Sequence, residues 1–483
     1  MADFRKTENW GVTGGNRSRI LKQGGSAGFA VALIAFLLLS IWPEKATAIP
    51  AFARKTGMRC AACHEAWPKL TSVGQNYKDN GYQIGNERDS PVYQSPLYWA
   101  MAARATPQWH SELNSAEATN QAKSGVQPVK TQGFDISGMD LWMAGTISKD
   151  ITFIILPSSD EYGNFHFESM WVRFDNLLKS RWLNVKAGRF ELDHVVSEKR
   201  ILTLSQVGGT YQTYHYLPQV DAKAFAATGV ASGELGTSRT SFGLGDNQLG
   251  VEVMGHSKND YTRASISVLT SSDGAVNLPT SKSYDTFMTA SRAFDIGPLG
   301  LQRVGAFSYI GRAPTRYLTQ TPGGGGTPVE IAGSGYGNKG FTRTGGFALL
   351  SVKKLDIVPV YTHATESAFV ALGIPSNEAL PAGVNSPVWN GRMVEFFYTQ
   401  NLQFIVIARY EDIRNAQQIF SKSASDFGDL DAETIAFRWY PFTHSRAGLA
   451  IEPEYAKVHQ MGVSAAGTNQ TLRSAFIGLD FAF

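Results

Sequence analysis

Apolar and polar residues alternate with period two along most of this chain. From about Leu97 to Phe483, stretches of roughly ten residues alternate in this way, each followed by a turn or a polar loop. In the last stretch Ala475, Ile477, Leu479, Phe481 and Phe483 share one face. Ser474, Gly478 and Asp480 share the other, with Phe476 out of step. Leu402, Phe404, Val406, Ala408 and Tyr410 alternate with Gln403, Ile405, Ile407, Arg409 and Glu411. Ile435, Phe437 and Trp439 alternate with Thr434, Ala436 and Arg438, and Ala447, Leu449, Ile451 and Tyr455 with Gly448, Ala450, Glu452 and Glu454. A period of two is the signature of strands with one apolar face. Charges such as Arg438, Glu452 and Glu454 in mid-strand suit a wet interior, because an unpaired charge in a dry core is strongly unfavourable.

The connections carry a second pattern. Short turns are expected near 148–150, 176–181, 257–259, 296–299, 353–355, 399–401 and 442–445. Longer polar loops are expected near 110–132, 158–164, 191–245, 271–283, 311–339, 365–390, 412–431 and 458–471. Seven turns alternating with eight loops imply 16 strands, with both ends of the set on the short-turn side. The stretch 236–244 also has strand character, but counting it would make the number odd, so it is assigned to the loop.

Even strand counts, short periplasmic turns and longer external loops define outer-membrane barrels. Residues 96–483 are therefore expected to form an all-β, roughly 16-stranded outer-membrane β-barrel ending in the strand that carries Phe483. A periplasmic sandwich or propeller also has alternating strands, but explains neither the short–long rhythm nor the mid-strand charges. Sixteen strands predict an aqueous channel rather than a packed interior. No stretch of 18 or more apolar residues follows the leader, so no helical span is expected there.

The N-terminus predicts the route. Arg5, Lys6, Arg17, Arg19 and Lys22 precede an uncharged, mostly apolar run of 16 residues from Ala27 to Trp42, then Pro43 and the small-residue site Ala46-Thr47-Ala48. This is the layout of a cleaved signal peptide over 1–48, and the run is too short for a spanning helix. Of the 44 Lys+Arg and 41 Asp+Glu in the chain, the leader holds six and three, which leaves 38 of each. Balanced charge gives no basic footprint, so nucleic acid is excluded as a partner.

The only two cysteines of the chain lie in Cys60-Ala61-Ala62-Cys63-His64. This is the spacing that attaches a c-type haem: two thioethers to the porphyrin vinyl groups, and an adjacent imidazole on the iron. A zinc site would need a second pair of ligands, and a redox CxxC does not require His64. Cys60 and Cys63 are thus expected to bind one covalent haem c, and His64 to be its proximal iron ligand.

Residues 49–95 form a monohaem cytochrome c segment too small to cover a porphyrin alone. Pro68, Gly74, Asn80-Gly81 and Pro91 break it into short elements, with a helix predicted over Lys69–Tyr77. Its apolar groups are Phe52, Trp67, Leu70, Val73, Tyr77, Tyr82 and Ile84, so the barrel wall or mouth is expected to complete the pocket at the periplasmic end. Between Glu65 and Ser95 there is no Met and no His. The distal ligand then comes from Met58, Met101 or His110, or the sixth position is empty.

Several of these residues together resemble a known group. Ala48–Met58, the CxxCH, Pro68-Lys69-Leu70-Thr71 and Lys78 with Gly81-Tyr82 are similar to the fused monohaem cytochrome–porin family of iron-oxidising bacteria. The family's Phe-Gly-Arg-x-Phe-Lys stretch appears here as Val73-Gly74-Gln75-Asn76-Tyr77-Lys78. The resemblance implies oxidation of extracellular Fe(II), an iron:cytochrome oxidoreduction, with electrons passed to periplasmic c-type cytochromes or copper proteins. Glu191, Asp193, Glu452 and Glu454 are candidates to line a cation path. Two alternatives are a solute porin with a haem plug or sensor, and electron export to an external acceptor.

Overall fold

Sixteen antiparallel strands close into one barrel among the described residues. The structure is a computed structural model that describes residues 58, 60–66, 69–79, 101–118, 126–148, 150–159, 163–195, 209–212, 214, 216, 243–245, 247–270, 284–313, 317–318, 330–331, 339–369, 379–401, 403–419, 426–441, 448–463 and 468–482. The leader 1–48, the residues Phe52, Trp67, Tyr82 and Ile84, and most of 236–244 lie outside the described residues.

The strands are β1 (Met101–Ala118), β2 (Val126–Ser148), β3 (Ile151–Ser159), β4 (Phe165–Phe174), β5 (Asn184–Phe190), β6 (Gln248–His256), β7 (Thr262–Thr270) and β8 (Tyr284–Asp295). They continue as β9 (Leu301–Ala313), β10 (Lys339–Val352), β11 (Leu355–Thr365), β12 (Val388–Asn401), β13 (Phe404–Gln417), β14 (Leu430–Trp439), β15 (Gly448–Gln460) and β16 (Gln470–Ala482). Each pairs with the next, and β16 returns to β1 through pairs such as Ile477 with Trp109. Closure removes the unpaired edges that an open sheet would expose, a requirement in lipid.

The expected turns are present apart from 442–445, which lies outside the described residues, and several are held by residues that tolerate left-handed backbone. Asp150, Asn176, Asp260 and Lys353 all have φ between 51° and 61°. The loops differ more. The expected loop 110–132 is mostly strand, because β1 runs on to Ala118 and β2 starts at Val126. Likewise β13 runs past residue 412 to Gln417. A strand that rises above the lipid has water on both faces, so it keeps its hydrogen-bond ladder and loses the period-two signal.

Where that signal is present, it points as expected. Ile435, Tyr455 and Ile477 face outward and are 44–48% exposed, whereas Arg438, Glu452 and Asp480 face inward and are at most 2% exposed. Phe476, the residue out of step, does not break the ladder: it is a lumen-facing phenylalanine, 3% exposed. The outward apolar face ends at one level across neighbouring strands. Tyr410 pairs with Glu433, Glu433 with Lys457, and Lys457 with Arg473. Beyond this row the outer wall carries ion pairs, Arg392 to Asp412 at 2.7 Å and Arg414 to Asp412 at 3.3 Å. A charge on the lipid face costs about 2–4 kcal/mol at mid-membrane and little at the interface, so the change of character marks the edge of the apolar band.

The interior departs from the expected aqueous channel. Lumen-facing Ile405, Ile407, Phe287 and Tyr309 are fully buried, and they join a cluster that includes Leu192, Val195, Tyr211 and Tyr216 from the segment between β5 and β6. That segment was expected to be an external loop. Its described parts instead fold into the barrel, because inward apolar side chains of a wide barrel need a covering that neighbouring strands are too distant to provide.

Candidate functional site

The predicted haem-attachment motif begins with α1 (Cys60–Cys63), one turn of helix. Chain reversal follows at once: His64–Ala66 pairs antiparallel with Lys69–Leu70. Helix α2 (Ser72–Asp79) then starts three residues later than the predicted Lys69–Tyr77, because Thr71 caps it. The Thr71 hydroxyl accepts from Gly74 N at 3.1 Å and donates to the Ala62 carbonyl at 3.0 Å, while its backbone N–H donates to the Cys63 carbonyl at 2.9 Å. One residue thus starts α2 and ends α1.

Gly74 shows how close the two helices lie. A Cβ built there would fall 2.0 Å from the Cys63 carbonyl oxygen. Cys63 forms no disulfide and is half-buried, and burial raises its thiol above the usual range. This is the reverse of an activated redox thiolate. One helical turn from Cys60 to Cys63, closed off by the Gly74 contact, has the spacing for two-point attachment of a porphyrin. The side chains of Cys60 and His64 lie outside the described residues.

The segment is fastened to the inner wall. Arg173 on β4 donates to the Lys78 carbonyl at the end of α2, at 3.1 Å. Lys78 Nζ in turn lies 3.3 Å from Glu191 Oε1, just past β5. Tyr77 is buried in the lumen cluster. Arg173 also donates to Asp175 at 2.7 Å, and Lys186 on β5 pairs with Glu252 on β6. Behind them Gly188 on β5 has φ 135°, and a Cβ there would meet the Met170 carbonyl oxygen at 2.2 Å. Only glycine fits that contact between β4 and β5.

Beyond Glu191 the lumen segment crosses the barrel. His194 is 1% exposed and packs edge-on against Phe307 of β9, with ring centroids 4.1 Å apart. Phe287 of β8 and Phe347 of β10 complete its surroundings. Farther along, Tyr211 N donates to Glu411 on β13 at 2.9 Å, its hydroxyl meets Thr362 on β11, and Tyr216 donates to Gln418 at 2.7 Å. Sequence reasoning missed these residues by treating the stretch as one polar loop. The aromatic cluster Tyr211, Tyr214 and Tyr216 within it was the available signal.

The opposite wall carries a linked set of charges. Asp140 and Asp480 both pair with Arg104, at 3.3 and 2.8 Å. Arg438 reaches Asp480 at 3.4 Å and Glu452 at 2.5 Å, and Arg409 pairs with Glu395. Of the suggested cation-path residues, Glu452 and Glu454 face the lumen and Glu191 is paired with Lys78; Asp193 is half-buried in the turn before His194. The suggested distal ligands are dispersed. Met101 points outward, away from the lumen, at 42% exposure. His110 lies on the inner face of β1, 3.7 Å from Glu112. Met58 is half-buried just before α1.

The protein is an outer-membrane β-barrel: closed, 16-stranded and apolar outside. No family model and no curated protein matches the sequence. The chain is similar in structure to the outer membrane channel DcaP of Acinetobacter baumannii, at 9% identity and TM-score 0.47, over 82% of this chain and 100% of that one. It is similar to Pseudomonas putida OprB at 10% identity and TM-score 0.46, over 87% and 99%. It is also similar to OmpT of Vibrio cholerae at 11% identity and TM-score 0.43, over 80% and 100%.

Proposed function

We propose that this barrel is an electron conduit, with one c-type haem on Cys60 and Cys63, ligated by His64, inside the lumen. The single observation that supports this most is the fastening of α2 to the inner wall through Arg173, Lys78 and Glu191. An apolar band of about 25 Å is too wide for electrons to cross from a haem left outside the barrel. When bound, the group held by Cys60, Cys63 and His64 would supply a one-electron couple between external Fe(II) and a soluble periplasmic carrier. The chain's own contribution is positional. Gly74 and Thr71 hold α1 against α2, Arg173 holds α2 in the lumen, and the apolar cluster around Tyr77 restricts water near the motif. The resemblance of the motif region to fused cytochrome–porins supports Fe(II) as the donor.

A second reading, solute passage with the haem segment as a plug, is favoured by the ionised side chains along the opposite wall. Purified protein in liposomes separates the two. Reduction of an enclosed c-type cytochrome by Fe(II) added outside is the expected result. Solute flux with a spectrally silent interior would replace the conduit with the plug. A negative pyridine haemochrome assay would remove the haem altogether.

A further inference from the structure

We infer that the outer wall across β15, β16, β1 and β2 holds the phosphates of a glycolipid in the outer leaflet of the membrane. The inference concerns the lipid-facing surface and stands apart from the haem reading. It starts from the row that closes the apolar band, where Glu433 pairs with Lys457 and Lys457 with Arg473. The row runs on, because Arg473 pairs with Leu113 and Leu113 with Lys130. Three bases therefore share one level of the wall across three strand spacings, roughly 14 Å.

Acids do not match these bases. Lys130 and Arg473 are exposed and form no ion pair among the described residues. Lys457 has a loose one, 3.8 Å from Glu433, whose side chain is 63% exposed. Glu117, higher on β1, is taken by the Asn114 amide. The neighbouring strands β12–β14 show the contrast, because there Arg392 and Arg414 are closed by Asp412 and Asp431. The level of the row matters as much as its charge. It lies toward the ends of the strands that the longer connections join, which is the external side of the membrane.

The wall beneath the row has the relief of a lipid seat. In the next row the small Ala475 and Ser111 lie between the longer Tyr455 and Gln132, which leaves a shallow dip under Arg473. Lower still, Ile477, Trp109 and Phe134 form an apolar row, with Phe134 89% exposed. Cations, a polar step and an apolar surface match the phosphates, sugar and acyl chains of a glycolipid in that order. Arg and Lys hold phosphate through charge-assisted hydrogen bonds. A row of this width suits a headgroup with more than one phosphate better than the single phosphate of a phospholipid.

The test uses full-length protein purified in detergent, with fluorescent diphosphorylated lipid A as the probe. The wild type is expected to bind it at least tenfold more tightly than lipid A stripped of both phosphates, and than phosphatidylglycerol. The triple variant Lys130→Gln, Lys457→Gln and Arg473→Gln is expected to lose at least tenfold in affinity, while Arg392→Gln matches the wild type. Gel mobility before and after heating verifies that each variant barrel is folded. Equal binding of the phosphorylated and stripped lipids by the wild type overturns the inference, as does unchanged affinity in the folded triple variant. Phosphatidylglycerol bound as tightly overturns the choice of a glycolipid, and an equal loss in Arg392→Gln overturns the placement. None of these outcomes bears on the conduit reading, which the haemochrome and liposome assays decide.

Discussion

Two walls of the same barrel treat charge differently. Along β4–β6 the lumen-facing charges are paired and matched: Arg173 with Asp175, Lys186 with Glu252, and Lys78 of α2 with Glu191. From β12 round to β2 the inward acids include Glu395, Glu411, Glu452, Glu454, Asp480, Asp140, Asp135 and Glu112, against the bases Arg409, Arg438 and Arg104. Acids outnumber bases on that wall. The first wall is neutral where it receives a segment of the same chain. The second keeps its surplus of acids over bases. A barrel wall repeats the same ladder all round, so the specialisation lies in which inward positions carry which charge.

The largest effect should come from the charged wall. Replacing Arg438 with Leu leaves Glu452 and Asp480 buried without their shared partner, a change worth about 3–5 kcal/mol. The temperature at which the folded band is lost on a semi-native gel should fall markedly. Next is the contact between the helices. In Gly74→Val the added side chain collides with the Cys63 carbonyl, so covalent haem yield should drop severalfold while the barrel still folds. A normal yield would show that the packing of α1 on α2 is irrelevant to attachment.

On the docking wall, Arg173→Gln removes a charged hydrogen bond worth about 1.5–3 kcal/mol. Limited proteolysis should then cut near α2 sooner, with the barrel fragment intact. Glu411→Gln together with Glu454→Gln removes two of the acids on the opposite wall. Reduction by Fe(II) should slow and lose part of its dependence on ionic strength; a rate unchanged at low salt argues against steering. Lys78→Ala should be mildest, since its pair with Glu191 is partly exposed and such pairs contribute about 0–1 kcal/mol. Equal effects for Lys78→Ala and Arg438→Leu would erase the distinction between the walls.

Much of the barrel was legible in the sequence. Strand number, the position of both ends on the short-turn side, and the inward placement of Arg438, Glu452 and Glu454 all follow from a period of two and from connection length. Those are local properties, set by backbone pleat and by the choice between lipid and water on one face. The upper halves of β1 and β2 were not legible, because polar residues on both faces give the same composition as a loop. The candidate site was legible only as a motif: Cys60, Cys63 and His64 are marked by chemistry and spacing.

What the sequence by itself determined is therefore a barrel exterior, with a pentapeptide that has haem-attachment spacing as the candidate site. The tertiary structure decided what fills the interior. Lys78 and Glu191 lie 113 positions apart, and Tyr211 and Glu411 200 positions apart. No periodicity spans such separations. They meet because a closed ladder brings every inward side chain around one lumen, and the apolar ones among them, such as Ile405 and Phe287, need a covering that only a segment folded inside can supply.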